Sequence, residues 1–413
     1  MRRNFLLFLL VILLTAVNFG QAAWVMRRPM RYPRYGLMVA EVNSKVYAIG
    51  GFANHDTAVG WVEEYNPVLD TWILKAPMLT RRGLGVCGVV DGKIYVIGGT
   101  QSLNGPVSPI ESCEVLDPVL NQWQRTRRLP THRYGFNGGA IGQNIYVAGG
   151  YLVQGMGNYT DTLEGYSTIR DSWFVRSSMD FPRVYLGAAV ANNKLFCFGG
   201  IFYGYSDANE EYDPATNIWT TKAHMPLSRS GFACASSYNN IYAIGGQRQN
   251  GPNRTIYSRV DNYNVLADTW RSFDSLNVAR VYAGAVNMRD RIYVVGGLGR
   301  NNTLISSLED NALSGLEEIN NQLINQTKIL INPNPFVINT TIRYANLYGD
   351  RLKLNIYNNF GSLVKIFDIQ NLSGAITWDG TDQKNQKLPQ GIYFAKISGN
   401  SNPNQIIKLI ISR

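Results

Sequence analysis

Apolar residues in this chain come in short runs broken by Gly, Asn and Asp, the pattern of strands joined by turns. The runs recur in groups of four. The first is rich in small residues, as in Gly83 to Val90 or Leu186 to Ala191. A turn such as Asp91-Gly92 or Asn192-Asn193 leads into a second run that ends at a Gly-Gly pair. A longer loop precedes a third run, ending in Tyr65-Asn66-Pro67 or Tyr212-Asp213-Pro214, and a last turn leads into a run carrying Trp. Each group reads as one four-stranded antiparallel sheet.

The groups keep a common register. Gly-Gly pairs begin at Gly50, Gly98, Gly149, Gly199, Gly245 and Gly296, at spacings of 48, 51, 50, 46 and 51. An aromatic stands three residues before each pair: Tyr47, Tyr95, Tyr146, Phe196, Tyr242 and Tyr293. Thirteen residues before each aromatic is an Arg: Arg34, Arg82, Arg133, Arg183, Arg229 and Arg280. After five of the pairs comes a Trp, at 72, 123, 173, 219 and 270, with an acid nine residues before it (Glu63, Glu114, Glu164, Glu210, Asp261) and Asp or Asn two before it. A period near fifty residues means an array of like units, and small residues on the first strand suit the crowded axis of a radial one. The sixth copy lacks its Trp. Trp24, followed by Pro29-Met30 and Arg34 as Trp72 is by Pro77-Met78 and Arg82, supplies the missing outer strand from the other end of the chain.

These marks resemble the kelch repeat, over about residues 24–312. The resemblance implies a six-bladed β-propeller spanning 23–312, with residues 23–28 closing blade six. Residues 313–328, rich in Asn, Leu and Glu, read as a linker. Strand runs return over 329–413 and predict a small immunoglobulin-like β-sandwich, so the fold class is all-β. Asn332-Pro333-Asn334-Pro335-Phe336, Trp378-Asp379-Gly380-Thr381-Asp382 and Leu388-Pro389-Gln390-Gly391-Ile392-Tyr393-Phe394 follow in order. This order resembles the type A C-terminal sorting domain of bacterial type IX secretion, and the similar immunoglobulin-like domain of bacterial surface proteins. The resemblance implies the export machinery as a partner.

Composition narrows the picture further. Charged residues are 16% of 413, against 12% aromatics and 40 Gly, which excludes a heptad coiled coil. Arg2 and Arg3 precede an apolar stretch from Phe5 to Val17, with Gly20 and Ala22 suitably placed for cleavage, so residues 1–22 read as a signal peptide. The stretch is short for a membrane span, and no other long apolar run follows. The expected location is secreted or at the outer cell surface, after cleavage near Ala22. The formal charge of +10 falls to +8 once the two leader arginines go, and it carries no Lys/Arg run, so no nucleic-acid partner is expected. Four Cys without a CxxC and three His without HxH or HExxH leave no metal motif, and no cofactor is expected.

Candidate chemistry lies where variable loops follow the Gly-Gly pairs, since binding residues concentrate on loops held by a rigid scaffold. These loops and the six Arg share one face if strands alternate direction. The expected ligand-binding residues are Arg34, Arg82, Arg133, Arg183, Arg229 and Arg280, with Phe52, Tyr151, Tyr203 and Tyr257. A guanidinium ring attracts carboxylates, and in kelch domains that bind acidic peptides, Arg at this motif position lines the pocket. The competing reading makes each Arg structural, neutralised by the acid of its own repeat. The expected function is non-catalytic binding of an acidic peptide, protein or glycan. The alternative, also by resemblance to secreted kelch proteins, is a carbohydrate-active enzyme such as a sialic-acid mutarotase. A copper-radical oxidase site is not expected, because His55, His132 and His224 occupy non-equivalent loop positions.

Overall fold

The computed structural model describes residues 23–54, 57–103, 109–152, 158–313, 328–332, 336–345, 352–369, 374–398 and 406–412. The expected leader, nearly all of the linker and His55 lie outside the described residues. The chain divides into two compact units, Met1–Leu313 and Ser314–Arg413.

The first unit contains six four-stranded antiparallel sheets, one per repeat. In blade one the strands are Met38–Val42, Lys45–Ile49, Val62–Asn66 and Thr71–Lys75, paired in that order. In blade six, Gly284–Met288, Arg291–Val295 and Leu308–Ala312 are joined by Val25–Arg27, which pairs antiparallel with Leu308–Ala312. The ring is thereby shut by strands from both ends of the unit. The innermost strands are built from residues such as Gly187, Ala188, Ala189 and Ala191, small enough to crowd together around the axis.

Gly-Gly is required by geometry. Gly50 and Gly51 have φ of 60° and 95°, and a Cβ on Gly50 would stand 2.4 Å from the Arg82 carbonyl oxygen. The close approach is itself a bond between blades: Gly51 N–H donates to that oxygen at 2.8 Å. Blade six closes on blade one in the same way, Gly297 N–H donating to Arg34 O.

Tryptophan forms a second ring of ties. Each indole donates to the carbonyl four residues beyond the preceding Trp: Trp72 to Arg28, Trp123 to Ala76, Trp173 to Arg127, Trp219 to Ser177 and Trp270 to Ala223. Trp24 completes the circle by donating to Asp274 O at 3.0 Å, and it is 5% exposed. The Asp or Asn before each later Trp adopts positive φ and accepts the backbone N–H of the same tied residue, as Asp70 does from Arg28 and Asn217 from Ser177. The five residues tied by the later Trp are therefore held at both N–H and C=O.

The second unit has a three-stranded sheet (Lys328–Asn332, Thr340–Ala345, Gly374–Trp378) and a four-stranded one (Leu363–Asp368, Lys353–Asn358, Gly391–Ser398, Ile406–Ile411). Its own core gathers on fully buried Trp378, flanked edge-on by Phe336 and Tyr393. Trp378 Nε1 donates to Thr381 O at 2.8 Å, which fixes the Asp-Gly-Thr turn that follows it.

Candidate functional site

The loops after Gly-Gly and the chain entering each innermost strand share one face, called here the loop face. The six motif arginines stand beneath it and are closed off from solvent. All are 0–1% exposed. Arg34 pairs with Glu63, Arg82 with Glu114, Arg133 with Glu164, Arg183 with Glu210, Arg229 with Asp261 and Arg280 with Glu309. Further N–H groups go to the carbonyl of the first Gly of the pair, as Arg82 to Gly98 and Arg133 to Gly149, at 3.0 and 2.8 Å. The acids are shared outward too: Glu63 also accepts Arg31 N–H, and Glu114 accepts Leu79 N–H. Burial pulls each guanidinium below its ordinary pKa, and in Arg34 and Arg133, for example, the partner carboxylate opposes that pull. This corrects the expectation of a ligand-facing ring. An interior guanidinium without an acid is costly, so the repeat carries its own counter-charge and no face is left for a ligand.

Phe52 is also corrected. It is 0% exposed, stacked on Tyr35 at 5.2 Å and pressed against Gly83 of the next blade, where even a Cβ would not fit. Tyr257 is half-buried where its loop rejoins the blade, donating N–H to Gly246 O and accepting from Arg280 N–H.

Two residues beyond each Arg, the chain forms an iris around the axis. Gly36, Leu84, Gly135, Tyr185, Gly231 and Tyr282 all have φ between 52° and 66°. They pass hydrogen bonds around the ring: Tyr282 N–H to Gly231 O, Gly36 N–H to Tyr282 O, Leu84 N–H to Gly36 O. Small and large residues alternate because each large side chain lies over the preceding glycine; a Cβ on Gly231 would meet Tyr282 at 2.7 Å. The alternation is visible in the sequence, although its meaning depends on the ring.

From this iris a ribbon of nine aromatic rings in contact runs in both directions, buried at its Phe52 and Tyr35 end and exposed at Tyr203. Phe52 and Tyr35 lie at one end, and Tyr35 contacts Tyr282 at 6.2 Å. Tyr282 contacts Tyr185 at 5.5 Å, and Tyr185 contacts Tyr134 at 6.4 Å. Tyr134 leads to Tyr151 at 5.7 Å, and Tyr151 to Tyr159 at 5.5 Å. The far end is the turn of Phe202 and Tyr203, whose rings are 4.6 Å apart, with Tyr203 5.9 Å from Tyr159. Tyr203 is 86% exposed at φ 50°, a conformation that bulky residues seldom adopt.

Beside Tyr282 lies a cation that the repeat pattern does not index. Arg254 donates from Nε to Gln247 Oε1 and from Nη1 to Asn302 Oδ1 at 2.8 Å, while Gln247 Nε2 donates to the Tyr282 hydroxyl at 3.4 Å. Both partners are neutral amides, and among the described residues Arg254 forms no ion pair with a carboxylate. The stretches 247–260 and 298–307 contain Arg248, Arg254, Arg259 and Arg300 and no acid; of these, Arg259 pairs with Asp261. Among the described residues no group of three or more His, Cys, Asp or Glu could hold a metal ion, and no helix is long and apolar enough to cross a membrane.

Fold and face together define a β-propeller with its long loops gathered on one face. The KLHDC2/KLHL20/DRC7 Kelch-repeats domain matches residues 86–297 and the Kelch motif residues 33–79, and the chain belongs to the kelch-repeat family. The FlgD Ig-like domain matches residues 348–402. The Kelch repeat and BTB domain-containing protein 1 of cowpox virus is 24% identical over 210 residues, covering 49% of this chain and 36% of the relative. Kelch-like protein 26 of Danio rerio is 31% identical over 91 residues, 22% of this chain and 15% of that protein. The chain thus spans about a third or less of the length of these relatives. The solved structure of YjhT aligns with a TM-score of 0.60 at 16% identity, over 68% of this chain and 96% of that one, which shows the fold.

Proposed function

We propose that this kelch propeller is an exported binding protein that holds an acidic ligand on its loop face. The observation that carries the reading is the aromatic ribbon, running outward to exposed Tyr203 from the iris, where Tyr282 lies beside an arginine that pairs with no carboxylate among the described residues. Rings supply contact area at low entropic cost, and a cation held between neutral amides keeps its attraction for an incoming anion. The acidic-ligand reading thus passes from the six buried arginines to Arg254, with Tyr151 and Tyr203 as ring contacts. The carbohydrate-active alternative is less supported, because the repeat acids are committed to their arginines and do not supply an acid/base pair. Export by the leader, with the immunoglobulin-like domain as sorting signal, belongs to the same proposal and rests on the resemblance of the two termini.

The test is binding to acidic-peptide and glycan arrays by the propeller with and without Tyr151→Ala/Tyr203→Ala. We expect at least one acidic class to bind, and the double variant to lose it while melting at an unchanged temperature. Equal binding by both proteins would place the ligand elsewhere.

A further inference from the structure

The ribbon and the cation are arranged as a track with a polarised end. Tyr282, Tyr185, Tyr134, Tyr151, Tyr159 and Tyr203 follow one another at centroid distances of 5.5 to 6.4 Å. Each spacing is the contact distance of a packed aromatic pair, so the six rings form one continuous row. Consecutive rings are turned by between 49° and 88°, so faces and edges alternate along the track. Every ring carries a hydroxyl, suited to sugar hydroxyls as well as to C–H faces. At the axial end the rings meet Gln247 and Arg254, and the loops around these supply cations without acids.

Resting on the loop-face reading above, we propose that the ligand is a linear carboxylated glycan. A uronate carboxylate sits on Arg254, and successive sugar units run outward over the tyrosines to Tyr203. Charge complementarity selects the acidic glycan over a neutral one. The ring track selects several units over a single sugar. Tyr203 is the outermost contact, presented by a tight turn in which Phe202 N–H bonds Gly204 O at 2.9 Å and Ile201 bridges Tyr205.

The experiment titrates the full chain with oligogalacturonates, alginate oligomers and hyaluronan fragments of graded length, using cello-oligosaccharides as neutral controls and an acidic-peptide library in parallel. We expect affinity to rise with length for at least one acidic series and to exceed that for the cello-oligosaccharides. Arg254→Gln should weaken the acidic series by about 10- to 100-fold, the size of a lost charge-assisted hydrogen bond, and erase its advantage over the neutral series. Tyr203→Ala should weaken long oligomers and leave short ones unchanged. Failure of all three acidic series, affinity independent of length, or an unaltered Arg254→Gln variant would each overturn the proposal. If acidic peptides bind through Tyr151 and Tyr203 while the glycans do not, the glycan assignment fails and the loop-face reading stands. If neither class binds, both fail.

Discussion

Arg133 and Arg254 carry the same side chain into opposite circumstances. Arg133 is 0% exposed and held by Glu164 and the Gly149 carbonyl, whereas Arg254 lies exposed between two amides. Removing one partner of a buried pair leaves the other charge stranded, so Arg133→Ala or Glu164→Gln should cost about 3–5 kcal/mol in urea denaturation. Arg254→Gln should stay within about 0.5 kcal/mol by the same measurement. The thiols make a second residue-scale case. Burial pushes Cys87, Cys113 and Cys197 up to about 12, and Cys87 spends its S–H on Val39 O. The native protein should therefore resist iodoacetamide at pH 8, and modification should track unfolding. The sign of the pH dependence follows. Unfolded thiols ionise near pH 8.5 while the folded ones keep their protons. The unfolded state then binds fewer protons, and stability falls as pH rises above about 8.5 toward 12. A melting temperature that stays flat from pH 8 to 10.5 would contradict this.

Among the elements, the outer strands carry the ring of indole ties. Trp24 sits in the three-residue strand Val25–Arg27's approach to blade six, and its carbonyl also accepts Asn277 Nδ2–H at 2.9 Å. Trp24→Ala should cost about 3–5 kcal/mol, as for other buried aromatic truncations. Deletion of residues 23–30 should go further and leave blade six with an open edge, seen as a lower and broader thermal transition. A deletion variant that melts like the parent would show that the tie contributes nothing. Much of this element plan was legible from spacing alone: strand order, the turns, the Gly-Gly corners and the place of Trp24. The sixth acid, Glu309, was not found, because the Trp that indexes its register lies at the other end of the chain. Its distance of 29 residues from Arg280 repeats that of Glu63 from Arg34 and could have revealed it.

For the whole molecule, two separate cores imply two separable bodies. One is the propeller, and the other is organised on Trp378. Differential scanning calorimetry should resolve two transitions, and removing residues 329–413 should abolish one and leave the other within about 2 °C. If the tail is a sorting signal, the same truncation keeps its fold and its ligand but stays inside the cell that makes it. The candidate site was legible only in part. Tyr151 and Tyr203 stood out as loop aromatics, whereas Tyr134, Tyr185, Tyr282 and Arg254 did not. What distinguishes these is adjacency between blades whose residues lie as far as 247 positions apart, as Tyr35 and Tyr282 do.

The periodic marks in the sequence by themselves determined the number of sheets, their connection and the family, because each mark answers a local need: a corner without a Cβ, a turn at positive φ, an indole that needs a carbonyl. Only the tertiary structure decided where each charge would lie. A repeated arginine faces solvent or a carboxylate according to how the blades pack around it, and here the packing closed six guanidinium groups inside and left Arg254, on a hairpin outside the repeat, exposed between two amides.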